Sequence, residues 1–87
     1  MTEAEIRKLA IDILGGIAPE ADFDSLGDDE ELREVLDLDS MDFLNFIAGL
    51  HKATGAAIPE EDYSKLFTLG GAIAYLGAAG ARTGPDI

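Results

Sequence analysis

Ile6, Leu9, Ala10, Ile13, Leu14 and Ile17 recur at alternating spacings of three and one residues. That is the apolar stripe of an amphipathic helix, not the alternation of a strand. Thr2 with Glu5 three residues later has the form of a capping box that opens this helix. Gly15-Gly16 and Pro19 predict its end. From Glu20 to Glu34 the chain reads as a long, acidic, weakly periodic loop anchored by Phe23, Leu26 and Leu32. Loops of that length in small domains are usually functional or partly mobile. A second helix is expected from Asp39 as N-cap, with Asp42 in its first turn favourable to the helix dipole. Its apolar face is Phe43, Phe46, Ile47 and Leu50, with Leu44 beside it, and Gly55 closes it near Thr54. Pro59 suits a first helical position, so a short helix follows through about Lys65, anchored by Tyr63 and Leu66. Thr68 then caps a last helix carrying Leu69, Ala72, Ile73 and Leu76. Gly70 and Gly71 inside it each cost about 1 kcal/mol relative to alanine, so this helix should lean on packing. Gly77 to Ile87 reads as a frayed tail. The pattern predicts an all-α fold of three longer helices, one short helix and a long first loop. It is one domain over residues 1–80, with a flexible C-terminal tail over residues 81–87.

Composition narrows what such a bundle does. The chain has 87 residues, no cysteine and one histidine, His51. Disulfides, thiolate metal sites, cysteine nucleophiles and multi-histidine metal centres are therefore excluded. Eighteen acids face six bases for a net charge of −12. Nucleic-acid phosphates and anionic headgroups repel such a chain, and the expected partners carry basic patches. A hydrophobic fraction of 47% distinguishes it from a disordered acidic tail. The longest uncharged run, Leu66 to Ala81, is short for a membrane span and rich in glycine, so no membrane insertion is expected. Met1 to Ala10 already has helical patterning, which predicts no secretory leader and a cytoplasmic location.

Several residues invite chemistry. Asp22, Asp24 and Gly27 suggest a calcium loop, but the fifth position is Leu26 and the twelfth, where a bidentate glutamate belongs, is Arg33. A solvated acidic loop is the better reading, and no metal site is expected. His51 has neither a nucleophile nor an orienting group nearby in sequence, so it reads as a surface histidine. Glu60-Glu61-Asp62 reads as a first-turn cluster that satisfies a helix dipole. Ser40 directly follows the N-cap Asp39. Spacing alone makes it an ordinary first-turn serine, and no base is present to activate its hydroxyl for catalysis of its own.

With the sequence around Ser40 taken as a whole, the chain resembles an acyl carrier protein. The family's Asp-Ser-Leu motif at the start of the second helix is matched by Asp39-Ser40-Met41. The likeness continues through Ala57-Ile58-Pro59-Glu60-Glu61-Asp62-Tyr63 and ends on Thr68 to Leu76, so it spans essentially residues 2–80. It implies a four-helix bundle and no catalytic residue. It implies a 4′-phosphopantetheine arm, taken from coenzyme A by a separate phosphopantetheinyl transferase and joined to Ser40. The thiol of that arm would carry acyl groups as thioesters, which explains a working chain without cysteine. Acyl-loading and acyl-processing enzymes of fatty acid, polyketide or related metabolism are the implied partners, met by a monomer. The docking surface carried over is Asp39, Met41, Asp42, Leu44 and Ala48. Apolar faces bearing Phe43, Phe46 and Ile73 are where the resemblance would shelter an acyl chain. Asn45, His51 and Lys52 stand where carriers of fatty acid synthesis tend to have glutamates, which implies a specialised member. A dedicated aminoacyl or peptidyl carrier and an unmodified acidic interaction module remain the alternatives.

Overall fold

The computed structural model describes the backbone of residues 2–83 and the side chains of residues 2–78. Its elements in order are α1 (Glu3–Ile17), a 3-10 turn (Phe23–Ser25), α2 (Leu32–Val35), α3 (Ser40–Thr54), a 3-10 helix (Glu60–Leu66) and α4 (Leu69–Thr83). No strand forms among the described residues; one antiparallel bridge pairs Glu31 with Thr68. The architecture is the expected all-α bundle, with α1 packed on both α3 and α4.

Local chemistry sets most helix ends. Thr2 Oγ1 accepts from the Glu5 N–H at 3.1 Å, and the Glu5 carboxylate accepts from the Thr2 N–H at 2.7 Å. This reciprocal box starts α1 and buries Ile6, Ala10 and Leu14. The helix runs through Gly15 and Gly16 to Ile17, so the glycine pair lies inside its last turn. Pro19 is the effective stop, because it cannot continue the ladder of backbone donors. Gly55 ends α3 at φ 73°, its N–H donating to His51 O at 2.7 Å. Thr68 caps α4 through the Gly71 N–H at 3.0 Å. The expected short helix is present as a 3-10 helix, with Pro59 in the cap position just before it.

The core joins Ile6, Leu14, Leu32, Phe46, Leu50, Leu66, Leu69 and Leu76, all essentially sealed from solvent. Phe43 is its aromatic hub, with ring centroids 5.5 Å from Phe67, 6.2 Å from Tyr63 and 6.3 Å from Phe46. Tilted and edge-on pairs at these distances contribute beyond simple area burial.

The first loop is tied down more firmly than its composition suggests. Leu32 is fully buried and its N–H donates to Phe67 O at 2.8 Å. Asp28 O accepts from the Gly70 N–H at 2.9 Å, while its carboxylate takes two 2.6 Å bonds from the Arg7 guanidinium. The loop's acids also cap its turns. Asp22 accepts from the Asp24 N–H and the Ser25 hydroxyl, and Glu30 accepts from the Gly27 N–H. These cross-links to α1 and α4 are invisible in a linear reading.

Arg7 holds the Asp28 carboxyl below its ordinary pKa. A carboxyl depressed on folding stabilises the fold above its unfolded pKa of about 3.9, and the contribution is lost as pH falls further. We therefore expect Asp28→Asn to flatten the acid limb of the stability curve below about pH 4, read by urea melts at stepped pH. An unchanged acid limb would remove this pair from the account.

The last helix departs from expectation. It continues to Thr83, past the fraying expected from Gly77. Ala78, Ala79, Ala81 and Arg82 are strong helix formers and outweigh Gly77 and Gly80. Of the expected tail, residues 84–87 lie outside the described residues.

Candidate functional site

The corner between α2 and α3 is built by a short run of unusual backbone. After α2 ends, Asp37 adopts φ 55°, and the Leu38 N–H donates back to Arg33 O at 3.0 Å. That is the long bond of a Schellman turn, with aspartate where glycine is usual. A short polar side chain tolerates the left-handed region better than a bulky one. The turn buries Leu38 and delivers Asp39 in extended conformation. Asp39 Oδ1 then accepts from the Asp42 N–H at 2.8 Å, and Asp42 Oδ2 lies 3.4 Å from the Asp39 N–H that it accepts. This second capping box starts α3 with Ser40 as its first residue.

Ser40 is exposed. Its Oγ accepts from Arg33 Nη2 at 3.4 Å, a contact that the sequence reading missed. Arginine has no lone pair to offer and is not a base. Among the described residues no carboxylate or imidazole is bonded to this oxygen. The hydroxyl is presented rather than activated.

The five residues expected at a docking surface gather at this end of α3. Asp39 and Asp42 are tied into the capping box. Met41 is 64% exposed and Leu44 43%, and Ala48 is exposed as well. The i, i+3, i+7 spacing of the three apolar residues puts them on one face. Val35 on α2, 47% exposed, is a further exposed apolar residue that the sequence did not single out. Its place in a one-turn helix gives no periodicity to read.

Beside that face lies a groove of about 460 Å³ lined by Leu44, Ile47, Ala48, His51, Ala57, Ile58, Pro59 and Tyr63. Phe43, Phe46 and Ile73 do not line it; they are buried in the core. This groove lies between α3 and the segment leading into the 3-10 helix. A second recess of about 440 Å³ lies between residues 17–21 and the α2–α3 corner.

His51 is surface-exposed, and its Nδ1–H donates to Ala56 O at 2.7 Å, which braces the end of α3. Eleven residues of helical rise put it about 16 Å along the axis from Ser40. Asp62 in the acidic cluster accepts from the Tyr75 hydroxyl at 2.8 Å and pairs with Lys65 at 3.2 Å. These two partners hold its carboxyl below the ordinary value, the tyrosine more strongly. Among the described residues no three metal-ligating side chains converge, and no helix is long and apolar enough to cross a membrane.

The sequence matches known proteins. A family model described as a phosphopantetheine attachment site fits residues 4–76. The acyl carrier protein of Lactobacillus acidophilus is 34% identical over 76 residues, covering 87% of this chain and 94% of its own. That of Lactobacillus johnsonii is 36% identical over the same shares. The acyl carrier protein of Renibacterium salmoninarum is 32% identical over 66 residues, 76% of each chain.

Proposed function

Since the chain belongs to the acyl carrier protein family, a family of carriers rather than enzymes that bear 4′-phosphopantetheine on a serine, we propose that Ser40 is its attachment serine. The observation that carries this reading is a solvent-facing hydroxyl at the head of α3 with a guanidinium directed at its oxygen. Such a pair fits an anionic ester. Of the other serines, Ser25 spends its hydroxyl on Asp22, and Ser64 sits in the 3-10 helix beside Lys65 without such a setting.

On this reading Ser40 Oγ bonds to the phosphorus next to the pantetheine of coenzyme A. The pyrophosphate P–O bond breaks, and adenosine 3′,5′-bisphosphate leaves. The hydroxyl proton goes to a base on the transferase, because this chain supplies none at Ser40. When bound, the arm supplies the thiol on which cargo rides as a thioester. The chain's own contribution is presentation. Met41, Leu44 and Ala48 form an apolar face of α3 beside the serine, with Asp39 and Asp42 at its head, that suits an enzyme with a basic, partly apolar dock. Tethering cargo by a flexible arm raises its concentration at a docked active site to about the millimolar range. The groove along α3 is where an apolar cargo would lie, and the protein would act as a cytoplasmic monomer.

The test is intact mass after incubation with coenzyme A, magnesium and a broad-specificity phosphopantetheinyl transferase. A gain of one arm is expected. A folded chain that gains nothing, with this transferase or with one from its own source organism, would be an interaction module instead.

Asn45, His51 and Lys52 thin the negative charge on α3 while the first loop concentrates it, so the reading extends to a specialised acyl carrier with dedicated partners. Enzymes of housekeeping fatty acid synthesis should turn over the loaded protein more slowly than their own carrier. Equal rates would return it to that pathway, and loading with aminoacyl in preference to acyl donors would make it an aminoacyl carrier.

A further inference from the structure

Arg33 is partly buried and stands in sequence among Glu31, Glu34, Asp37, Asp39 and Asp42. In such company a guanidinium ordinarily forks onto a carboxylate. Yet the ion pairs among the described residues are Arg7–Asp28 and Lys65–Asp62, and neither involves Arg33. Its Nη2 reaches Ser40 Oγ instead, at 3.4 Å, well beyond the about 2.7–2.9 Å of a charge-assisted bond. A neutral hydroxyl is a weak partner for that cation.

The backbone keeps the arginine in this place. Its carbonyl accepts from the Leu38 N–H at 3.0 Å, inside the turn that delivers Ser40. Its neighbour Leu32 is fully buried, with its own N–H on Phe67 O at 2.8 Å. Arg33 and Ser40 are thus two ends of one braced corner, seven residues apart in sequence.

We infer that Arg33 is a positioning residue for the arm: its guanidinium is the counter-ion of the phosphodiester formed on Ser40 and holds the root of the arm against the α2–α3 corner. This rests on Ser40 being the attachment serine. A phosphodiester carries one negative charge, and its two non-bridging oxygens stand one bond beyond Oγ. A donor already 3.4 Å from Oγ is within reach of them. The new charge arrives beside Asp37, Asp39 and Asp42 on a chain of net charge −12, and Arg33 offsets part of that repulsion. A fork can engage both oxygens, whereas lysine would supply charge without the fork.

The experiment compares the melting temperatures of unmodified and arm-bearing forms of the wild type, Arg33→Gln and Arg33→Lys at low salt, with loading at Ser40 verified by intact mass. Each variant's unmodified form is its own baseline, so a purely structural role of Arg33 cancels. The arm-bearing Arg33→Gln protein should fall further below its baseline than wild type does, by about 2–4 °C. Arg33→Lys should recover part of that difference, and about 0.5 M salt should shrink it. In wild type the Arg33 side-chain NMR resonance should shift on loading. Equal differences between wild type and Arg33→Gln, with the arm in place, would overturn the role of Arg33 alone. No mass gain at Ser40 in wild type would overturn the attachment reading, and this one with it.

Discussion

Ser40→Ala is expected to lose arm loading completely while melting within about 2–4 °C of wild type, the range of about ±0.5 kcal/mol for a surface change. The separation of the two effects follows from where the hydroxyl sits. Ser40 is the first residue of α3, and the cap of that helix is Asp39, whose carboxylate takes the Asp42 N–H at 2.8 Å. The serine oxygen makes one long contact, to Arg33, and is otherwise open to solvent. Alanine at a first-turn position keeps the helix and removes only the nucleophile. Asp39→Ala is the informative contrast. It removes the carboxylate that takes the Asp42 N–H, leaves the backbone N–H of residue 39 on Asp42, and should cost about 1 kcal/mol, roughly 4–8 °C in melting temperature, with Ser40 still present. Loading should then slow rather than vanish. Mass gain by a folded Ser40→Ala protein would move the attachment to Ser25 or Ser64.

Where the structural signal is local, the sequence carries it. The capping box of Thr2 with Glu5 and the N-cap at Asp39 are written in the sequence and both form, and Asp42, expected only to favour the helix dipole, closes a second box with Asp39. The buried faces Ile6, Ala10, Leu14 and Phe43, Phe46, Ile47, Leu50 follow from helical spacing. The position of Ser40 at the head of a helix is legible for the same reason. What the sequence hides depends on contacts between distant segments. Helix α2 is one turn, far below the length at which a helix is stable alone, and is held by buried Leu32 and its bond to Phe67. Arg33 rides on that turn, so its approach to Ser40 has no linear signature. The left-handed Asp37 lacks the glycine that ordinarily marks such a turn. Phe43, Phe46 and Ile73 are buried as their spacing predicts, but spacing tells which residues face inward and not whether a space remains between them.

Gly71→Ala is expected to destabilise the fold by about 2 kcal/mol, a fall of roughly 8–16 °C in melting temperature. Helix propensity alone predicts the opposite sign, since alanine inside a helix is favoured over glycine by about 1 kcal/mol. The reason for the reversal is a close approach. A Cβ at Gly71 would overlap the carbonyl oxygen of Lys65 and stand 2.9 Å from Thr68 Oγ1. The carbonyl is backbone, so relief requires the end of the 3-10 helix and the start of α4 to move apart. Leu66 and Leu69, on either side of that junction, are both sealed in the core, and Phe67 O holds Leu32. Any shift there loosens the anchor of the first loop and, through α2, the corner that presents Ser40. Gly16→Ala is the matched control. Its Cβ would meet nothing within 4 Å, and the position is exposed in the last turn of α1. There propensity should win, raising the melting temperature by up to about 4–8 °C. If Gly71→Ala melts at or above the parent, the junction is looser than its contacts imply, and the glycines of α4 are a propensity cost alone.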